Sequence, residues 1–247
     1  MTASRKRGKE PGIPSGAAQF NPGFSEVTDE ETSREALPQL SVRLSLLARS
    51  AHPQLCAACR QITVGDEFAL TPAELRPIER SIASVRRASG AARIVARTLL
   101  AKLGASPAVE LPRSASRAPR WPPGFVGSLA HDHEYAVAAV ARSSALRGVG
   151  IDIEPPLPLP EGLLEMIATP GEQREINGDL VRARLLFCIK EAVYKATHPI
   201  DGVFLEHHDV EVSLTSSVAV TSSGHSLRVY TTARPRLIAL ALFTSSE

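Results

Sequence analysis

The residues most able to do chemistry are two acids on one strand-like segment, an acid and a lysine one helical turn apart, and a histidine after a glycine-led segment. In Gly148 to Glu154, Val149, Ile151 and Ile153 alternate with Gly150, Asp152 and Glu154, so two carboxylates project side by side from one face. Like charges there repel. A hard divalent ion is their natural partner, and oxygen ligands favour Mg²⁺ bound together with a phosphate substrate. An exposed strand end, where acids are common, is the competing reading. Glu191 and Lys195 have i,i+4 spacing. That is either an ordinary helix pair of ~0.3–0.5 kcal/mol or an oxygen ligand and proton acceptor beside a lysine facing phosphate oxygens. Spacing alone does not choose. His131 follows Gly127-Ser-Leu-Ala, read here as a turn. Loop amides and an imidazole suit a phosphate, although Asp132, His133 and Glu134 also describe a plain hydrophilic turn.

Several elements must position these groups. Thr71-Pro-Ala-Glu74 has the form of a capped helix start, and Ala91, Ile94, Val95, Leu99 and Leu103 predict a helix over 82–103 with Gly104 as its stop. A Pro/Arg loop over 112–124 precedes Gly127, and strands are expected over 135–141 and 148–154. Pro155, Pro156, Pro158 and Pro160 end the second strand. Weak helical character at 161–168 is followed by a helix over 181–197, with Leu186, Ile189, Val193 and Ala196 on one stripe and Pro199 after its end. Strands are expected over 210–214, 217–221, 227–232 and 237–243. Each half thus offers a long helix followed by strands, and Ala136-Val-Ala-Ala-Val140 echoes Ile238-Ala-Leu-Ala-Leu242.

The chain of 247 residues is 43% hydrophobic and 22% charged, which suits one large domain or two small halves. Aromatics are only 4%, so the core rests on Leu, Ile, Val and Ala. A net charge of +2 argues neither for nor against a nucleic-acid partner, and no recognition helix stands out. Three cysteines make no disulfide framework; Cys56-Ala-Ala-Cys59 has no second pair to complete a zinc site and reads as structural. No apolar run approaches the ~20 residues of a membrane span, and the basic start lacks the apolar segment of a signal peptide, so a cytoplasmic location is expected. Residues 1–37 read as a disordered tail in which Arg5-Lys6-Arg7 is solvated.

Read in order, Trp121-Pro-Pro-Gly124, Gly127-Ser-Leu-Ala-His131, Gly150-Ile-Asp-Ile-Glu154 and Phe187-Cys-Ile-Lys-Glu-Ala-Val-Tyr-Lys195 resemble the 4'-phosphopantetheinyl transferases, above all the monomeric branch serving siderophore, polyketide and non-ribosomal peptide synthesis. That family's pattern is W-P-x-G, G-S-x-S-H, G-x-D-x-E, then F-x-x-K-E-x-x-x-K. The resemblance runs from about Ser81 to Leu214. It implies an α+β fold of two pseudo-symmetric halves, 38–143 and 144–247, with the active site at their interface. It further implies coenzyme A as co-substrate, Mg²⁺ on Asp152, Glu154 and Glu191, and catalytic roles for Glu191, Lys195 and His131. Lys195 and His131 match the residues holding the phosphates, with Lys190 adding positive potential. Arg93 matches a position at the adenosine end, and Arg86 an upstream basic position. The partner is an acyl or peptidyl carrier protein, with no nucleic acid or membrane partner, and the protein is expected to be a monomer.

Departures from the pattern are Ala130 for the usual Ser before the histidine, Arg117 where Gly is usual before Trp121, and the absence of the Glu and Phe often found in 86–92. Two other functions use the same residues. A Mg²⁺-dependent nucleotide pyrophosphate hydrolase would need a positioned water, and a non-catalytic coenzyme A-binding protein would bind without turnover.

Overall fold

The computed structural model describes residues 29–106 and 108–244. Its elements in chain order are α1 (Asp29–Ala51), β1 (Cys56–Gln61), α2 (Pro72–Leu75), α3 (Ala83–Lys102), β2 (Phe125–His131), β3 (Tyr135–Arg142) and β4 (Gly148–Glu154). There follow α4 (Leu164–Ile167), α5 (Pro170–Ile176), α6 (Leu180–Asp201), β5 (Val210–Ser213), β6 (Val218–Thr221), β7 (Ser226–Thr232) and β8 (Leu237–Phe243). The strands form two antiparallel sheets, β1-β3-β2 and β4-β8-β7-β6-β5. This is the expected α+β class. Among the described residues no helix is long and apolar enough to cross a membrane.

Each sheet carries one long helix on its outer face, and strand alternation decides what lies where. On β3, Ala138 and Val140 meet α3 through Val95, Leu99 and Leu100. On the same strand Tyr135, Val137, Ala139 and Ala141 turn inward. They share one core with Val149, Ile151 and Ile153 of β4, Ile238, Leu240 and Leu242 of β8, and Leu40, Leu44 and Ala48 of α1. The outer face of the larger sheet is built small: Ala239 and Ala241 pack on the α6 residues Leu186, Ile189, Val193 and Ala196. Gly150 lets the helix closer still, because a Cβ there would lie 1.7 Å from the Ala192 carbonyl oxygen.

Three readings of the sequence change here. Helix α1 begins at Asp29, inside the stretch expected as a tail, because Leu40, Leu44 and Ala48 recur at helical spacing and bury against both sheets. Residues 1–28, with Arg5-Lys6-Arg7, lie outside the described residues. The segment 127–131 is the end of strand β2, not a turn. Helix α6 runs through Pro199 to Asp201 and stops at Gly202 in the left-handed region. Cys56-Ala-Ala-Cys59 is a strand: Cys56 faces the α3 side and Cys59 the α1 side, so an odd separation puts the two free thiols on opposite faces.

Candidate active site

A cleft of about 410 Å³ lies between the outer end of β2 with α3 on one side and α6 on the other. Its walls include Arg93, Trp121, His131, Glu191 and Lys195. The size suits a nucleotide-sized ligand. Trp121 reaches it because Gly127 has no side chain: a Cβ there would sit 2.8 Å from the indole ring.

The acid end is made where β4 meets α6. Arg184, Cys188, Glu191 and Lys195 occupy one side of the helix at spacings of four, three and four. Asp152, almost fully buried, accepts a 2.6 Å hydrogen bond at Oδ1 from Lys195 Nζ. Burial works against the Lys195 charge, yet the Asp152 carboxylate beside it holds its pKa above the ordinary lysine value. Glu154 Oε2 accepts from Arg184 Nη1 at 2.8 Å, while Arg184 Nε and Nη2 donate to the Leu157 and Pro158 carbonyls. Burial raises the Glu154 pKa, Arg184 opposes that, and Asp152 adds to it. Glu191, half-buried, lies 3.5 Å from His207 Nε2.

The donor set is oxygen-only and anionic, with two carboxylates forced together on one strand face, so its chemistry fits a hard divalent cation. Among the described residues no three acid, histidine or cysteine groups stand assembled as a metal cage. Asp152 and Glu154 are instead engaged by Lys195 and Arg184.

His131 ends β2 with its edge open to solvent and its Nδ1 3.3 Å from the Asp132 carbonyl. Desolvation by the protein behind it lowers its pKa, the Asp132 carbonyl opposes this, and Lys195 lowers it further. These effects favour the neutral imidazole, and with Nδ1–H facing the Asp132 carbonyl its Nε2 carries the lone pair.

On the same wall as His131, Arg93 is buried. Its Nε donates to the Leu111 carbonyl at 3.1 Å, its Nη1 donates to Ser89 Oγ at 2.6 Å, and Glu74 lies 3.6 Å away. Burial pushes its pKa down to about 10, with Glu74 opposing.

Two expected ligand contacts are not brought to the cleft. Lys190 sits one residue off the Glu191 stripe, which turns it into the protein. There Nζ donates to Glu172 at 2.7 Å and to the Ile167 and His207 carbonyls at 2.8 Å, a structural post rather than a phosphate contact. Arg86 is seven residues from Arg93, about 10 Å along the helix axis, and its Nη1 donates to the Glu79 and Ser81 carbonyls. It clamps the chain entering α3 and does not line the cleft.

Sequence reasoning passed over Arg184 and Arg113 as site residues, and noted Arg117 only as a departure from the family pattern. The first was findable as the next position on the stripe carrying Glu191 and Lys195. The other two come from the Pro/Arg loop, which folds back over the cleft: Arg113 bridges to Pro119, and Ser114 N donates to the Ala118 carbonyl. Arg117 has φ 69°, a left-handed backbone that strains a side-chain-bearing residue by about 1–2 kcal/mol and explains why glycine suits that position.

Residues 72–141 match the 4'-phosphopantetheinyl transferase N-terminal domain, and residues 148–239 match the 4'-phosphopantetheinyl transferase superfamily. Three curated proteins are similar to this chain. One is 4'-phosphopantetheinyl transferase Npt of Nocardia iowensis, 39% identical over 157 residues, which are 62% of this chain and 70% of that protein. Another is 4'-phosphopantetheinyl transferase Svp of Streptomyces mobaraensis, 36% identical over 59% of this chain and 61% of its own length. The third is 4'-phosphopantetheinyl transferase PptT of Mycobacterium tuberculosis, 40% identical over 58% of this chain and 64% of its own length.

Proposed function

This chain belongs to the 4'-phosphopantetheinyl transferase superfamily, and we propose that it transfers the phosphopantetheine arm of coenzyme A to a serine of an acyl or peptidyl carrier protein. The observation that carries this reading is the cleft itself. One wall presents Lys195 on Asp152 with Glu191 one turn away, and the facing wall presents His131, Trp121 and Arg93. That is a surface for a ligand with an anionic middle and an aromatic end.

In this reaction the serine oxygen forms a bond to the phosphorus bearing the pantetheine arm. The bond from that phosphorus to adenosine 3',5'-bisphosphate breaks. Such chemistry asks the protein for positioning and charge neutralisation. Lys195, held charged by Asp152, lies against the pyrophosphate oxygens and offsets the charge that gathers on them. His131 Nε2, bare while Nδ1–H faces the Asp132 carbonyl, takes up a proton as the anionic group approaches and then donates to it. Glu191 takes the serine proton. Asp152, Glu154 and Glu191 would hold Mg²⁺, which supplies Lewis-acid neutralisation of the pyrophosphate when bound. Arg184 steadies Glu154 and the proline loop beside it.

The test is mass spectrometry of an apo carrier protein incubated with this protein, coenzyme A and Mg²⁺. A gain of one phosphopantetheine mass, abolished by chelator and by Asp152→Ala, is the expected result. Binding of coenzyme A with no gain across several carriers would favour the non-catalytic reading. Release of adenosine 3',5'-bisphosphate without carrier modification would favour the hydrolase.

A further inference from the structure

The loop over the cleft mouth holds two arginines that line the cleft without a carboxylate partner among the described residues. Arg60, Arg87, Arg93, Arg97, Arg184 and Arg236 each pair with a carboxylate. Arg113 and Arg117 both line the cleft, and among the described residues neither has a carboxylate partner. They also repel one another: burial lowers the Arg113 pKa, and Arg117 lowers it further. Arg113 in turn acts on Arg93, so three positive groups stand in series from α3 to the mouth. The turn that holds them is defined, with Arg117 N donating to the Ser114 carbonyl at 3.0 Å and Arg117 at φ 69°. A strained backbone that places an unpaired cation beside another cation makes sense if an anion comes between them.

We propose that Arg117, with Arg113, grips the 3'-phosphate of coenzyme A at the cleft mouth, a contact that the family's usual glycine cannot make. The inference rests on the transferase reading above, which assigns the pyrophosphate to Lys195 and His131. The 3'-phosphate is the ligand's other anionic group, and as a monoester it is dianionic at neutral pH. It therefore suits two guanidiniums better than a singly charged diester does.

Binding of coenzyme A and of dephospho-coenzyme A, which lacks only that phosphate, to unmodified protein and to Arg117→Gly tests the assignment by calorimetry. Glycine accepts the left-handed backbone, so the variant is expected to fold and to melt at a higher temperature. Its affinity for coenzyme A should fall roughly ten-fold, the scale of one charge-assisted contact, while dephospho-coenzyme A should change less than about two-fold. Arg117→Lys should recover part of the loss. Equal losses for both ligands, or no loss for either, would overturn the assignment and leave the transferase reading intact. Failure of the unmodified protein to bind coenzyme A would overturn both.

Discussion

Gly150→Ala isolates how the fold sets the distance between strand β4 and helix α6. The new Cβ would meet the Ala192 carbonyl oxygen at 1.7 Å, half of the 3.4 Å at which ordinary contact begins, and the Ala192 carbonyl carbon at 2.7 Å. Backbone cannot rotate aside as a side chain does, so α6 must retreat by about 1.7 Å. That stretches the 2.6 Å Lys195–Asp152 contact to about 4 Å, beyond hydrogen-bond reach. Overpacking of this kind should cost about 3 kcal/mol, the upper end of the usual range, and lower Tm by about 6–12 °C. A displacement of more than 1 Å between Asp152 and the Glu191–Lys195 pair should lower the transfer rate about 100-fold. Thermal unfolding and the carrier-loading assay read the two effects. Gly162→Ala is the control, having φ 82° and nothing within 4 Å, and should lose about 1 kcal/mol through strain alone with its rate unchanged. A Gly150→Ala protein melting within 2 °C of the parent and loading carrier within about three-fold would refute the claim that this close approach sets the site.

Lys190→Met should leave Glu172 buried without its cation and cost about 3–5 kcal/mol in urea unfolding, while calorimetric coenzyme A affinity in the folded protein stays within about two-fold. At Asp66, burial opposes ionisation, but the Arg60 guanidinium and the Thr63 N–H hold the pKa below the ordinary 3.8. Its contribution is therefore full above that value and lost as pH falls through the folded value. Urea midpoints below about pH 4 should drop more steeply for the parent than for Asp66→Asn. Because Cys56 and Cys59 face opposite sides of β1, a Cys56→Ser, Cys59→Ser double variant should match the parent in zinc content by atomic absorption.

The acids were legible because strand alternation is a strict rule: Asp152 and Glu154 had to share a face once Val149, Ile151 and Ile153 were in the core. The helix carrying Glu191 and Lys195 was legible for the corresponding reason. Lys190 and Arg86 were not, because a basic residue beside a site looks the same in sequence whether it turns outward or inward. Lys190 turns inward because Glu172 and two carbonyls converge on it from segments far away in the chain. Helix α5 was missed although Thr169-Pro-Gly-Glu172 repeats the Thr71-Pro-Ala-Glu74 capping signal, and both capping boxes form. Strand β1 was hidden by Ala-rich composition, since Cys56-Ala-Ala-Cys59 carries little strand propensity and owes its form to pairing with β3. Arg117 was visible as a departure from pattern, but its meaning needed a backbone angle.

Helix α1 and the inward faces of both sheets share one core, and the chain crosses from one sheet to the other only once in its middle, through residues 143–147. A polypeptide divided in that connection would yield one piece showing the inward residues of β3 and α1, and another showing those of β4 and β8. Among the described residues neither piece has anything else that covers the whole of that surface, so each is the other's best solvent. The protein is in effect a two-part reporter held together by a five-residue tether. Reassembly of separately produced pieces would restore the shared interior and the cleft in the same event, tying activity to complementation.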